Sequence, residues 1–302
     1  MIALHADWSM HAAKRYHALA RQRDGFWHLA APRLVGEPMA LLRPLLAEGP
    51  PVVMGLDLPL GLPRAYAAHC AEADFPAFLR ARLTTPAFFQ VNETLATISR
   101  ERPFYPARGV KGMTRLSHAQ ALGMETAADL SRHCDRATPL RPAGAPVFWT
   151  LGANQSGKAA IAAWRDWLAP ALQAGAPLSL WPFEGGLHAL LRPGHAVLAE
   201  VYPAEALRQL GLKLQGSKRD QAARRALAPA LHQALTQARA HPQPALATAI
   251  PPGVGQDAAG EDRLDCLLGL LCMLQVLDGR RADHVPQDPW IQRWEGWVLG
   301  QS

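Results

Sequence analysis

The sequence predicts an α/β fold, a mixed sheet with flanking helices. Three observations carry that expectation: a run of short strands opens the chain, strand and helix patterns then alternate, and a strongly apolar helix comes late. Residues 2–8 alternate in the strand manner, with Ile2, Leu4 and Ala6 on one side and Ala3, His5 and Asp7 on the other. Strands are expected at 15–22 and 26–34, joined by the turn sequence Arg23-Asp24-Gly25. Residues 37–48 carry a helical stripe of Leu41, Leu42, Leu45 and Leu46, and Pro44 inside it should bend or shorten the helix. PVVMGLDL, at 51–58, is a nearly continuous apolar strand that ends in an acid.

Residues 62–146 differ in character, being rich in Pro, Arg and His and weakly periodic. Short helices are expected there at 75–82 and 116–134, and the stretch reads as a large, mainly helical insertion or cap after the fourth strand. Beyond it, strands are expected at 147–152, 178–183 and 195–202. Helices are expected at 159–173, 203–210, 220–240 and 261–277, with a Pro/Gly/Ala connection at 241–258. The whole of 1–302 is read as one domain.

At 302 residues and 49% hydrophobic, the chain can bury a large core and needs no metal or disulfide staple. Global disorder is excluded by the same composition. The Leu-rich run 264–277 is shorter than the ~20 apolar residues of a membrane span. The opening MIALHADWSM lacks the pattern of a secretion signal. Four cysteines, Cys70, Cys134, Cys266 and Cys272, form no CxxC pair, so free thiols in a cytoplasmic protein are expected. The formal charge of +6 suits a phosphate-rich partner such as nucleic acid without establishing one.

The acids fall in informative places. Asp7 ends the first strand, Asp57 ends the apolar strand in GLDLPLGLP, and Glu200 ends HAVLAEVYP. Asp262 and Asp265 are one turn apart on the last long helix, Asp265 within a Leu-rich seam where Gly269 would let the helix approach a sheet closely. A single Asp after a strand is ordinarily a helix cap. Acids ending three apolar strands must lose water or share a partner, and hard Mg²⁺ or Mn²⁺ is the cation that takes carboxylate oxygens. Two such ions can activate water and stabilise a leaving oxygen in phosphodiester cleavage. Asp7, Asp57 and Asp265 are the expected metal ligands, with Glu200 and Asp262 as further ligands or water positioners.

Other signals compete. Gly152 to Ala159, GANQSGKA, nearly matches a phosphate-binding loop, but Ala159 stands where the metal-binding hydroxyl belongs. Lys158 there is expected to hold a backbone phosphate. Basic residues gather at 100–115, beside Phe104 and Tyr105 that could stack a base, and at 213–225, where Lys218 and Arg219 are candidate phosphate contacts. The twelve histidines show no HExxH spacing, and His5 reads as a core residue near the acids. Trp164 and Trp167 are spaced for core packing.

The blocks GLDLPLGLP at 55–63, EVYPAE at 200–205, DRLDCLLG at 262–269 and EGWVLG at 295–300 resemble the DUF429 family of predicted ribonuclease H-like nucleases. TRLSHAQALG and RHCDRA in the middle region add weakly to the resemblance. It implies a ribonuclease H-like sheet, with Asp7, Asp57 and Glu200 at one edge, and a Mg²⁺- or Mn²⁺-dependent nuclease. The first strand departs from the pattern in reading HADWS, where a Gly often precedes the Asp. Two alternatives stand beside it. One is an ATP-binding phosphotransferase of actin-like or phosphate-loop type, weakened because Asp7-Trp8-Ser9-Met10 lacks glycines. The other is a non-catalytic module that binds nucleic acid or a partner.

Overall fold

The computed structural model describes residues 1–152 and 156–302. Its centre is an eight-stranded mixed sheet: β1 (Ile2–Asp7), β2 (Tyr16–Arg23), β3 (Phe26–Leu29), β4 (Arg33–Leu34), β5 (Val52–Leu56), β6 (Leu178–Leu180), β7 (Ala196–Glu200) and β8 (Ala240–Pro242). The order across the sheet is β6-β7-β5-β1-β2-β3-β8, with β4 paired to β2. β1, β2 and β3 form an antiparallel meander, while β5 runs parallel to β1 and β7 parallel to β5. The α/β class and the mixed sheet with flanking helices are thus as the sequence predicts.

Each face of the sheet packs its own layer. Ile2, Leu4, Ala6, Val52, Met54, Leu56, Ala196 and Leu198 face the 62–146 segment and the helical stretch Ser156–Gln173. Ala3, Val53, Val197 and Ala199 face the helices Ala228–Gln237 and Gly260–Leu277. This division follows from the period of two along each strand.

Several elements differ from the sequence reading. Residues 26–34 are two strands, so the long insertion follows the fifth strand and not the fourth. VFWTLG at 147–152 is not a strand; only an isolated bridge, Trp149 to Tyr105, forms there. Its Phe148 instead joins Phe88 and Phe104 in an aromatic cluster, with ring centroids 5.3 Å apart for Phe104–Phe148. Phe104 and Tyr105 are therefore buried and take no part in a base-stacking surface. Residues 220–240 split at Leu227 into two helices, Gln221–Ala226 and Ala228–Gln237, with Pro229 in the first turn of the second. The 241–258 connection contains β8 and a helix, Pro244–Ala249. The helix Pro38–Ala47 continues through Pro44. Trp164 and Trp167 are core residues, as their spacing implies. All four cysteines are free, and among the described residues no helix is long and apolar enough to cross a membrane.

The helix Gly260–Leu277 lies unusually close to the sheet. A Cβ placed on Gly269 would meet the His5 ring at 2.4 Å, and one on Gly55 would meet Met273 Sδ at 2.4 Å. His5 is fully buried in the gap, and its Nε2–H donates to the Val201 carbonyl at 3.1 Å. Burial pushes its pKa down to about 4, so it packs as a neutral core group. Gly269→Ala should therefore cost about 1–3 kcal/mol, as overpacked cores do, despite alanine's better helix propensity. Denaturant unfolding of Gly269→Ala and of the double variant with His5→Ala checks this. The double variant should recover part of the loss, and an additive result would show that the two residues do not share the contact.

Candidate active site

Parallel pairing aligns the ends of β1 and β5. Ala6 and Leu56 are register partners, and the Asp57 N–H donates to the Ala6 carbonyl at 3.0 Å. The next residues, Asp7 and Asp57, follow the Ala3 and Val53 side of the pleat, close enough for each to shift the titration of the other. That side is covered by the Gly260–Leu277 helix, whose first half carries Asp262 and Asp265. The close helix–sheet approach brings both into the electrostatic range of Asp7. The turn after β1 is pinned by Arg15, which donates from Nε to the Ser9 carbonyl at 2.6 Å and lies over the Trp8 ring at 4.5 Å. Trp8 in turn stacks on Trp167.

The electrostatics of this group are those of buried acids crowded together. Burial, then the charges of Asp57, Asp265 and Asp262, raises the pKa of Asp7. Burial and Asp265 raise that of Asp57. Asp265 rises to about 6, mostly through burial, against the opposing pull of Lys218. Asp262, half-buried at the rim, rises through burial and then Glu261. Lys218 reaches in from the loop before the Gln221–Ala226 helix, and its Nζ donates to both Asp265 oxygens at 2.6 Å. Arg219 points outward, with 81% of its side chain exposed, and pairs loosely with Glu261 at 3.3 Å.

Glu200 does not join this group. It ends β7 on the Ala196–Leu198 side of the pleat, the opposite face. There it is fully buried, and both its oxygens are taken by Arg132, at 2.6 Å from Nη1 and 2.6 Å from Nη2. The Leu60 N–H donates to it at 2.7 Å. Arg132 also pairs with Asp135 through Nε at 2.8 Å and Nη2 at 3.0 Å. Cys134, Asp135 and Glu200 offer ligand atoms within 4.8 Å of one another, but the guanidinium already supplies their counter-charge. The expectation that Glu200 works beside Asp7 and Asp57 is corrected by residue parity, which turns its side chain to the other face of the sheet. It is one half of an ion pair that ties the 62–146 segment to the sheet.

The phosphate-loop candidate fares similarly. Residues 153–155 of it lie outside the described residues. The Gly157 N–H is already donated to the Trp149 carbonyl at 3.2 Å, and a Cβ there would meet the Val147 and Trp149 carbonyl oxygens at 2.8 Å. This glycine serves a close backbone contact. Lys158 sits on the Ser156–Ala163 helix, in the layer against the other face of the sheet. Of the basic residues at 213–225, Arg224 is buried and donates to the backbone carbonyls of Lys218 and Arg219.

Sequence reasoning missed Arg132, although RHCDRA contains its pair with Asp135 at an i,i+3 spacing. It also read Lys218 only as a phosphate contact, since an Asp–Lys pair 47 positions apart has no local signature.

Two outcomes follow. Acids whose pKa values are raised by folding bind protons more readily folded than unfolded, so stability falls as pH rises above the unfolded value near 3.8 and through the folded ones. In chelator, the melting temperature should drop between pH 5 and pH 8. Asp7→Asn should raise it at pH 8 by a few degrees, where 1 kcal/mol is worth roughly 2–4 °C. A flat profile shared by both proteins would contradict this account. Arg132→Met should cost about 3–5 kcal/mol, because it strands two buried carboxylates; urea unfolding of Arg132→Met beside a Glu200→Gln/Arg132→Met pair measures it.

Comparison with family models, with curated proteins and with solved structures returns no match to this chain.

Proposed function

We propose that the protein is a Mg²⁺- or Mn²⁺-dependent nuclease of ribonuclease H-like architecture. The observation that carries the reading is the placement of Asp7 and Asp57 at the ends of two adjacent parallel strands, with Asp265 brought into their electrostatic range by one helix and all three pKa values raised, chiefly by burial. The strand arrangement supports it: an antiparallel β1-β2-β3 meander, followed by β5 and β7 added in parallel beside β1. The DUF429 resemblance rests on blocks that include Asp57 and Asp265.

The donor set fits a hard divalent cation. It is all carboxylate oxygen, it stays net negative after the Lys218 pairing, and folding has already carried the cost of bringing the charges together. Asp7 and Asp57 would hold the ion, with Asp265 beside them in its pairing with Lys218 and Asp262 at the rim. A bound divalent ion supplies Lewis acidity at phosphorus-bound oxygen and lowers the pKa of water. The chain's own part is to fix these acids through the β1–β5 register and the glycine contact. Lys218 and Arg219 set positive charge beside the acids, where a phosphodiester backbone would lie. The chain's net charge of +6 favours such a partner.

Purified protein should cleave nucleic acid when given Mg²⁺ or Mn²⁺, and EDTA should abolish cleavage. Asp7→Asn and Asp57→Asn should each lose about 100-fold or more, the scale of removing one charge-stabilising group. Glu200→Gln should be judged on stability instead. Cleavage persisting in excess EDTA, or an Asp57→Asn variant as active as the wild type, would reject the nuclease reading.

A further inference from the structure

Lys218 is built into the acid cluster in a way that a solvated surface lysine is not. Its side chain is 20% exposed, and its ammonium sits symmetrically across Asp265, 2.6 Å from each oxygen. The loop that delivers it is clamped from beneath by Arg224, which is buried. Arg224 Nη1 donates to the Lys218 and Arg219 carbonyls at 2.6 and 3.0 Å. Its Nε and Nη2 donate to the Gly253 and Gly255 carbonyls, both at 2.9 Å. Gly260, at the start of the long helix, leaves room for this guanidinium, since a Cβ there would fall 2.3 Å from Nη2. Four hydrogen bonds and three glycines thus hold one cationic side chain against one carboxylate.

A side chain ordered to this degree has lost its rotamer freedom on folding and arrives at the cluster prepaid. Its ammonium occupies both Asp265 oxygens, so an ion sharing Asp265 would have to displace it against charge repulsion. We propose that Lys218 takes the place of a second metal ion: the cluster binds one divalent cation, through Asp7 and Asp57, and the Lys218 ammonium supplies the other positive charge to the phosphate. This inference rests on the metal-centre reading above. Arg224 is then a positioning residue for Lys218, acting through the loop backbone.

Mn²⁺ titration without nucleic acid tests it, counted by calorimetry and by electron paramagnetic resonance. The wild type should bind one ion and show no Mn²⁺–Mn²⁺ coupling. Lys218→Arg should also bind one. Lys218→Met should bind two, and Lys218→Met/Asp265→Asn should return to one. Lys218 acting only as a structural counter-ion would leave the count unchanged in Lys218→Met, which overturns the proposal. A wild type binding two ions overturns it while sparing the metal-centre reading, and a wild type binding none overturns both. The wild type gives a variant-independent check if Lys218→Met does not fold. One bound Mn²⁺ should broaden the Lys218 ammonium signal in ¹⁵N-labelled protein, and a sharp Lys218 signal overturns the proposal.

Discussion

The contact between the Gly260–Leu277 helix and the sheet governs most of what the molecule does at its acidic edge. Gly55 and Gly269 remove the side chains that would hold the two layers apart, and the His5 ring and Met273 fill the space that remains. A larger residue at either glycine would lift the helix, and Asp265 would leave the range at which it acts on Asp57. The neutral His5 follows from the same contact, because a ring enclosed between helix and strand cannot be hydrated when charged. Packing and electrostatics are thus one constraint here, in which an apolar seam brings carboxylates together.

The two faces of the sheet resolve their buried charges differently. On the Ala196–Leu198 face, Glu200 and Asp135 are neutralised within the protein by Arg132, with planar bidentate geometry to each carboxylate group. On the opposite face, one lysine meets several acids, and the acids stay strained toward protonation. A fully paired network holds segments together, whereas an under-neutralised one holds its acids at raised pKa values. This contrast separates a structural ion pair from a candidate reactive site, although both lie at carboxyl ends of parallel strands.

The alternating pattern of 2–8 was enough to place Asp7 opposite Ala6 and beside His5, and the apolar run at 51–58 was enough to place Asp57 at a strand end. The close approach at Gly269 was also legible, because a glycine inside a Leu-rich helix needs a packing reason. Less could be read in 147–152, whose apolar run looks the same in a buried strand as in an irregular segment that feeds an aromatic cluster. Phe104 and Tyr105 misled for a related reason: aromatic residues beside arginines suggest a nucleic-acid surface until burial is known.

Local sequence determined which residues could form strands and helices, and therefore which acids would stand at strand ends. It did so because side-chain periodicity is a property of the backbone and needs no partner. Tertiary structure alone decided which acids meet. Glu200 fell on the wrong side of the pleat by one residue of register, and Lys218 crossed 47 positions to reach Asp265 through a loop held by Arg224. Charge pairing depends on distance through space, and no spacing along the chain encodes it.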